Sequence, residues 1–355
     1  MTYNLEGMKP GTDPQTRIFN AIQYLKQLNP DVIGLQEINE SLNTGGSDNQ
    51  AKVIADSLSA YFHIPYYTYT GFTHQSWSNT FNEYIGIISR YPVQETGFLD
   101  LVKGAFPRKV VWNQITTPLG KINFFNTHLD YLNTAVRIQQ VQQIIGYVAQ
   151  KDTSFPAIAS ILTGDFNDVP GTSPILLLTN TGTDTSFIDT YHAANPAVQG
   201  YTIPANAPSS RIDFIFYKST GRLSINSSLV VMNEPYGGIN YPSDHLGVMT
   251  IFKKSITGVD NKGRVEGLKN FELYQNFPNP FNPATVIKFS VPISSRVSLK
   301  IFNSTGQEVA DVDSKEYAEG AYTATWNAAG FASGVYFYRL QAGNIVVTKK
   351  LMLLK

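Results

Sequence analysis

A buried apolar run in the middle of the chain ends in two polar side chains that could perform hydrolytic chemistry. Residues 158–163 are largely apolar, and Asp165 and Asn167 follow them, separated by a single residue. Side chains on a β-strand alternate between its two faces, so we expect Asp165 and Asn167 to point into one cleft. The carboxylate could orient or deprotonate a water, and the carboxamide could donate a hydrogen bond to a phosphoryl oxygen.

Four other apolar runs end in polar side chains of similar kinds. Carboxylates, amides and imidazoles stand at residues 3–4, 36–37, 126–128 and 243–245. Hydrolysis of a phosphate ester needs charge neutralisation, an oriented water and a stabilised leaving oxygen. Side chains of these types at several strand ends therefore predict a metal-assisted site that hydrolyses phosphate esters.

The oxygen-bearing side chains predict a site for a hard divalent cation. Glu37 and Asp244 are suited to bind the ion, and Asn4 provides a nearby amide that we also assign to the metal site. Mg²⁺ prefers oxygen ligands and retains several waters, so Mg²⁺ is the expected ion, with Mn²⁺ or Ca²⁺ as alternatives.

Two histidines complete the predicted catalytic set, together with Asp165 and Asn167. His245 directly follows Asp244, and Asp213 is the carboxylate expected to orient it. A carboxylate behind a histidine fixes its tautomer and raises its basicity. His128 needs a similar partner, for which Glu83 is the best candidate.

A few further residues have open interpretations. Arg108 is a candidate for a contact with a substrate phosphate, and His74 is interpreted as an ordinary surface residue. Asp130 either lines the cleft or caps the helix that starts near Asn133. The aromatic residues between 66 and 77 form either a packed loop or a loop that faces the substrate, since bases stack on aromatic rings.

The composition limits the classes of protein to consider. The chain has 355 residues, 12% aromatic residues, no cysteine and a formal net charge of zero. The absence of cysteine excludes disulfides, thiolate catalysis and cysteine zinc sites. The neutral charge removes the simplest argument for a nucleic-acid binder, although a metal ion can supply positive charge locally. Apolar runs of the roughly 20 residues needed to span a bilayer do not occur.

The first two-thirds of the chain alternates predicted strands and helices. Asp13 followed by Pro14 is a typical helix start, and apolar residues at spacings of three and four continue to residue 28. Further helices are predicted at 48–60 and from Asn133 onwards. Strands rich in β-branched residues between these helices predict a two-sheet α/β sandwich.

The last third has a different character. Residues 255–272 lack any periodicity and are interpreted as a linker, and residues 273–355 contain strand-like runs separated by turn signals. This region predicts a second, small all-β sandwich (Ig-like) domain. It contains no histidine and no clustered carboxylates, so we do not expect it to be catalytic.

The ordered set of motifs resembles the endonuclease/exonuclease/phosphatase superfamily. The matching pieces are residues 2–4, 35–37, 83–84, 89–92, 126–130, 163–167, 211–213 and 243–245. They occur in the family's order and cover the chain to about residue 252, within a predicted catalytic domain of residues 1–254. The resemblance implies a four-layer αββα sandwich with one cleft, metal binding by Glu37, and handling of phosphate and water by Asp165 and Asn167. The histidine–carboxylate pairs resemble those of the deoxyribonuclease and sphingomyelinase branches.

The C-terminal region resembles a type IX secretion C-terminal sorting domain. The resemblance rests on residues 273–285, on 334–340 and on the terminal Lys349-Lys350-Leu351. It implies export across a bacterial outer membrane by the type IX secretion machinery, and a secreted or cell-surface protein. Such export begins with a leader, and the first residues carry no basic-then-apolar signal peptide, so we expect the leader to be absent from this chain.

These observations favour an exported, Mg²⁺-dependent phosphoesterase acting on phosphodiesters, with extracellular DNA or RNA as the first substrate to test. An alternative keeps the chemistry but acts on a phospholipid head group, an inositol phosphate or another small phosphate ester. A second alternative is a non-catalytic surface binding protein with the same fold. A monomer is the working expectation for the oligomeric state.

Overall fold

The computed structural model describes residues 1–42, 45–179, 186–238, 240–255, 271–291, 294–318, 320–342 and 345–354. The chain divides into two compact units, whose described parts cover residues 1–255 and 271–354. Most of the predicted linker, residues 256–270, lies outside the described residues.

The first unit consists of strands and helices that alternate along the chain. Its strands are β1 (Thr2–Asn4), β2 (Val32–Ser41), β3 (Tyr67–Ser76), β4 (Phe81–Ser89), β5 (Val93–Asp100), β6 (Lys109–Thr117), β7 (Gly120–His128), β8 (Ala159–Asp165), β9 (Ile188–Asp189), β10 (Asp213–Ser219), β11 (Leu223–Val231) and β12 (Gly247–Lys254). Its helices are α1 (Pro14–Leu28), α2 (Gln50–Phe62), α3 (Thr134–Ser154), α4 (Ser173–Thr179) and α5 (Thr190–Ala194).

The strands form two six-stranded sheets. The first sheet has the order β11-β12-β1-β2-β4-β3, and the second has the order β5-β6-β7-β8-β10-β9. Apolar side chains from the facing surfaces of both sheets form one buried cluster, which includes Ile87 and Val248 from the first sheet and Val111, Ile161 and Ile215 from the second. The two sheets therefore pack face to face.

Helices cover the outer face of each sheet. Leu25 of α1 and Leu58 of α2 pack in one cluster with Leu35 of the first sheet. Ile144 of α3 packs in another cluster with Leu162 of the second sheet. The four-layer αββα sandwich implied by the sequence is thus confirmed.

Local sequence signals explain where the helices begin and end. The Asp13 side chain accepts a hydrogen bond from the Thr16 N–H at 3.2 Å, and Pro14 is the first helical residue of α1. The chain leaves α1 through Asn29, whose φ of 50° is left-handed and ends the helix. Asn133 caps α3 by accepting hydrogen bonds from two N–H groups of the first turn. Helix α2 starts and ends two residues later than predicted.

The strand β3 corrects the prediction of a loop between residues 66 and 77. It is the edge strand of the first sheet and pairs only with β4 in the sheet order. Its residues are mostly exposed or half-buried, so it lacks a buried apolar run such as the one that predicts β8. Strands β5 and β11 were not predicted either, and they too are edge strands.

The second unit is a small all-β sandwich, as predicted. Its strands are β13 (Glu272–Leu273), β14 (Ala284–Val291), β15 (Ser295–Asn303), β16 (Glu308–Tyr317), β17 (Gly320–Asn327), β18 (Gly334–Ala342) and β19 (Ile345–Leu353). They form a sheet of order β13-β14-β17 and a sheet of order β16-β15-β18-β19. Phe289 and Trp326 from the first of these sheets share a core with Leu299 and Tyr338 from the second.

Across the described residues, helices long and apolar enough to cross a bilayer are absent.

Candidate active site

Three of the predicted site residues meet at one edge of the second sheet. His128 ends β7, Asp165 ends β8, and the two are register partners in a parallel pair. Asp213 begins β10 and is the antiparallel partner of Asp165. The pairing of three adjacent strands therefore places an imidazole and two carboxylates side by side, which the sequence spacing alone does not specify.

The first sheet contributes Asn4 and Glu37 from neighbouring strands. Asn4 ends β1, which runs parallel to β2. Glu37 lies within β2 at a β-bulge, where the pairing with β4 shifts between Leu35 and Ile38. Its φ of 52° is in the left-handed region, which a non-glycine residue adopts only under constraint. The bulge interrupts the alternation of side chains and places Glu37, half-buried, in the lining of the cleft.

Asn4 connects the two sheets at the site. Its fully buried amide nitrogen donates hydrogen bonds to Glu37 Oε1 and Asp165 Oδ2, each at 3.0 Å. These two carboxylate oxygens therefore lie no more than 6.0 Å apart. The Asn4 oxygen accepts the Glu6 N–H at 3.0 Å. The Asn4 amide therefore orients two carboxylates through its nitrogen and is held through its oxygen, and a direct bond from Asn4 to a metal stays a prediction.

Asp165 and Asn167 both line the cleft, but not through strand alternation. Asn167 lies beyond the end of β8 with a left-handed φ of 49°, so a turn rather than the strand's pleat directs it. Its backbone N–H donates to Asp165 Oδ1 at 2.9 Å, and its side-chain amide donates to Leu129 O at 3.1 Å. Burial, together with the neighbouring Asp213 carboxylate, raises the pKa of Asp165 to about 7.

His245 and Asp213 form the predicted histidine–carboxylate pair. His245 Nδ1 donates to Asp213 Oδ2 at 2.9 Å, and both side chains are buried. Burial alone would lower the pKa of His245, but the attraction of Asp213 outweighs it and raises the pKa to about 10. The imidazole is therefore a cation at neutral pH, and its Nε2 lies 3.8 Å from Asp165 Oδ2.

His128 is held differently from the prediction. Arg108 Nη1 donates a hydrogen bond to His128 Nδ1 at 3.0 Å. Arginine has no acceptor, so Nδ1 must be unprotonated and the neutral ring carries its proton on Nε2, 3.5 Å from Asp165 Oδ2. Burial and the Arg108 cation hold the pKa of His128 well below its usual value. A basic His128 supported by a carboxylate is thus the wrong expectation.

Glu83, the predicted partner of His128, contacts Arg108 and His74 instead. Its Oε1 lies 3.9 Å from Arg108 Nη1 and 3.8 Å from His74 Nε2. Burial and the nearby Glu37 carboxylate raise the pKa of Glu83 to about 7. His74, interpreted from the sequence as a surface residue, is a half-buried residue of the cleft wall. Burial and Arg108 lower the pKa of His74 to about 4.

Asp244 lies beside His245 at the outer end of the site. Its side chain is 41% exposed, with Oδ1 3.9 Å from His245 Nε2 and Oδ2 3.6 Å from Lys9 Nζ. The Asp244 N–H donates to Glu6 Oε2 at 3.2 Å. The buried Arg17 of α1 also donates to that Glu6 oxygen, at 3.0 Å, so an ion pair below the surface supports the loop that carries Asp244.

The carboxylates provide donors for a cation, and His245 could join them only after it loses its proton. The buried group Asp165, Asp213 and His245 has ligand atoms within 4.8 Å of one another and could bind a metal ion. Asp213 Oδ1 is buried without a hydrogen-bond partner among the described residues, which is consistent with that possibility. The more accessible oxygens belong to Glu37 and Asp244, and all of these donors suit a divalent ion.

The site opens into a cleft of about 530 Å³. Its lining includes Trp77, from the aromatic residues for which a substrate-facing position was one of the two interpretations. Besides residues already described, it also includes side chains that the sequence reasoning missed: Gln75, Ser76, Ser78, Asn79, Phe106, Tyr131, Ile203 and Ile212. Asp130 is buried and accepts the N–H groups of Ala105, Leu132 and Asn133, so it fixes two loops rather than lining the cleft. For Phe106, the available signal was its position just before a buried strand and two residues from the candidate Arg108.

Comparison with known families gives two matches. Residues 1–245 match the endonuclease/exonuclease/phosphatase family, and residues 275–354 match the secretion system C-terminal sorting domain. The sorting domain indicates export, with a surface or secreted location, and implies interaction with the secretion machinery. Comparison with curated proteins gives no match.

Solved structures with the same fold come from bacteria and from animals. An endonuclease/exonuclease/phosphatase family protein from Leptotrichia buccalis is 22% identical, with a TM-score of 0.58 over 71% of this chain and 98% of its own. A mannosyl-6-phosphatase of Bacteroides thetaiotaomicron is 20% identical, with a TM-score of 0.58 over 71% and 98%. The human Nocturnin catalytic domain with bound sulfate is 16% identical, with a TM-score of 0.56 over 71% and 93%.

At these identities the solved structures establish the fold alone. The family match, in contrast, covers 245 of the 355 residues and contains the whole cleft. The chain therefore belongs to the endonuclease/exonuclease/phosphatase family of hydrolytic phosphoesterases.

Proposed function

We propose that the chain is an exported, divalent-metal-dependent phosphodiesterase, with extracellular nucleic acid as its first substrate. The observation that supports this most strongly is the convergence of side chains from both sheets on Asp165 Oδ2. Asn4 donates to this oxygen, and the Nε2 atoms of His128 and His245 lie 3.5 and 3.8 Å from it. A buried carboxylate with this surrounding is suited to orient a water at a phosphoryl group.

Glu37 and Asp244 would hold the metal ion, for which Mg²⁺ is the proposed identity and Mn²⁺ or Ca²⁺ the alternatives. We favour Glu37 over the buried cluster because Asp213 is already paired with a His245 cation. Glu37 keeps one oxygen beyond the bond from Asn4, and the 41% exposed Asp244 has Oδ1 3.9 Å from Nε2 of His245, which lines the cleft. When bound, a divalent ion neutralises phosphoryl oxygens and stabilises the leaving oxygen.

The other side chains would stabilise charge on the substrate. The neutral His128 can donate its Nε2 proton in a hydrogen bond, and the His245 cation can attract a phosphoryl oxygen. Asn167 has one amide hydrogen bonded to Leu129 O, so its second remains for a phosphate. Asp165, fixed by Asn4 and by the Asn167 N–H, would orient the attacking water.

The alternative substrate class is a small phosphate ester or a phospholipid head group. The specific observation in its favour is the zero net charge of the chain, because tight binding to duplex DNA normally uses many lysine and arginine contacts. Arg108 is the sole arginine of the described cleft lining, and no lysine belongs to that lining.

Release of p-nitrophenol from bis-p-nitrophenyl phosphate, with and without EDTA, tests the proposed chemistry. We expect release that EDTA abolishes and that added Mg²⁺ restores. A panel of single-stranded DNA, RNA, plasmid DNA, sphingomyelin and inositol phosphates then ranks the substrates by kcat/KM. Failure to release product from every phosphoester would support a non-catalytic surface protein and contradict the proposal.

A further inference from the structure

Three stacked rings form one wall of the cleft. His74 and Phe106 have ring centroids 4.6 Å apart and an interplanar angle of 19°, and Phe106 and Tyr131 have centroids 6.0 Å apart at 21°. We call these three residues the aromatic shelf. Phe106 is 39% exposed and Tyr131 is 49% exposed, so the outer part of the shelf keeps ring surface that the protein does not cover.

The aromatic shelf is fixed at its inner end. The ring of His74 has Nδ1 3.2 Å from Thr73 Oγ1 and Nε2 3.8 Å from the buried Glu83 carboxylate. The guanidinium of Arg108 lies over the Phe106 ring at 5.9 Å from its centroid. A shelf held in this way loses little conformational entropy when a planar ligand binds, so its surface is preorganised.

The shelf adjoins the proposed phosphate site. Phe106 precedes Arg108 by two residues, Tyr131 follows His128 by three, and Arg108 bonds to His128 directly. A phosphoryl group bound near His128 would therefore have its substituent next to the shelf. The residues proposed to bind the metal, the phosphate and the water leave that substituent without a partner.

We propose that the aromatic shelf binds an unpaired nucleobase of a single-stranded nucleic acid, beside the phosphodiester to be hydrolysed. This inference rests on the proposed phosphodiesterase function. Bases have planar π-faces that stack on aromatic side chains, and the exposed polar lining residues Gln75 and Asn79 offer hydrogen bonds to base edges.

The lining and charge of the cleft favour this ligand over the other candidates. In a duplex the base faces are already stacked, and the described cleft lining has one arginine and no lysine to hold a duplex backbone. Aliphatic lining residues of the described cleft are limited to Ile203 and Ile212, which is a small surface for lipid chains.

Binding of short oligonucleotides to the full-length protein in EDTA tests the shelf without turnover. The probes are a fluorescein-labelled five-nucleotide DNA strand and a strand of the same length in which every nucleotide is an abasic tetrahydrofuran. Both carry the same phosphates, so fluorescence anisotropy isolates the contribution of the bases. We expect the abasic strand to bind more weakly, on the order of 5- to 150-fold for one stacked base.

Four variants locate the effect. Phe106→Ala and Tyr131→Ala should weaken binding of the base-containing strand and bring it close to that of the abasic strand. Tyr131→Phe keeps the ring and should bind as the wild type does. Phe19→Ala, at a 56% exposed aromatic on α1, should change neither Kd and controls for loss of surface area.

The outcomes separate this inference from the proposed function. The proposal that the shelf binds a base would be overturned by equal Kd values for the two strands, or by a base preference that persists in both alanine variants. This holds even if bis-p-nitrophenyl phosphate is hydrolysed. The shelf would instead be a lipid-binding surface if the two strands bind the wild type equally and the alanine variants lose binding to phosphatidylcholine vesicles. A base preference lost in the alanine variants supports the shelf whatever the hydrolysis assay gives.

Discussion

His128 and His245 differ in charge because their Nδ1 partners differ. His245 donates to a buried carboxylate, whereas His128 accepts from a guanidinium. A carboxylate partner favours the imidazolium ion, and a guanidinium partner favours the neutral ring with its proton on Nε2. The site therefore contains one cationic and one neutral imidazole on either side of Asp165, and each can donate from Nε2.

Arg108 rather than Glu83 should determine the tautomer of His128. Arg108→Met removes the donor to Nδ1, so we expect the His128 ring to become a mixture of tautomers. We expect kcat/KM to fall by about 100-fold, which is at the lower end of the effect of losing an oriented proton donor. Nitrogen-15 chemical shifts of the His128 ring measure the tautomer directly.

Glu83→Gln is the matched control for this prediction. Glu83 lies 3.9 Å from Arg108 Nη1, and Arg108 makes the bond to the His128 ring, so the Nε2–H tautomer should persist in this variant. A ring whose tautomer changes in Glu83→Gln and not in Arg108→Met would restore the pairing expected from the sequence.

At the scale of the elements, the close approach of the two sheets brings their contributions to the site together. Gly34 of β2 lies where a Cβ would be 2.3 Å from Thr163 Oγ1 and 2.6 Å from Asn126 Oδ1. Asn126 cannot easily move, because its amide nitrogen donates to Leu35 O and Gly86 O, each at 2.8 Å. The sheets can be this close only because residue 34 has no side chain.

Gly34→Ala should therefore separate the sheets and destabilise the first unit by about 3 kcal/mol, the upper range for overpacking of a core. The control is Gly146→Ala in α3, where a Cβ would meet no atom within 4 Å and the higher helix propensity of alanine should stabilise by about 0.5–1 kcal/mol. Urea unfolding of both variants measures the difference, and similar stabilities would contradict this account of the interface.

The sequence alone predicts those helices and strands whose signals lie within their own residues. Caps such as Asp13 and Asn133, and buried apolar runs such as that of β8, are local features, and the structure has them where expected. The polar strand ends were also visible, because strands that share a sheet edge bring their ends together.

Features that depend on pairing across the fold could not be predicted from local patterns. The bulge at Glu37 depends on the register of β2 against β4, and β3 is stabilised by that same neighbour rather than by its own apolar pattern. The Arg108 bond to His128 depends on β6 and β7 being adjacent. A histidine in a sequence gives no sign of whether its partner will be a carboxylate or a guanidinium.

At the scale of the whole molecule, the cleft and the sorting domain belong to separate units. The described cleft-lining residues all lie before residue 246, and the sorting domain matches residues 275–354. Each unit has its own buried core, so we propose domain limits of 1–254 for the catalytic domain and 273–355 for the sorting domain.

Removal of the sorting domain should leave hydrolysis intact. A protein of residues 1–254 is expected to keep kcat/KM for bis-p-nitrophenyl phosphate within about twofold, because each unit folds around its own core. Residues 273–355 fused to a reporter with a leader should be exported by a type IX-competent strain and retained by a strain without that system. Loss of activity in the shortened protein would show that the second unit contributes to the catalytic one.

The most direct test of the central claim is turnover by Glu37→Gln. Glutamine keeps the size of the side chain and removes the charge that would hold the cation, so circular dichroism should match the wild type. We predict that the rate of Mg²⁺-dependent release from bis-p-nitrophenyl phosphate falls by at least about 1,000-fold. A loss of this size is expected when the metal no longer stabilises charge in the transition state. Turnover at the wild-type rate in this variant would contradict the assignment of the cleft as a metal-dependent phosphoesterase site.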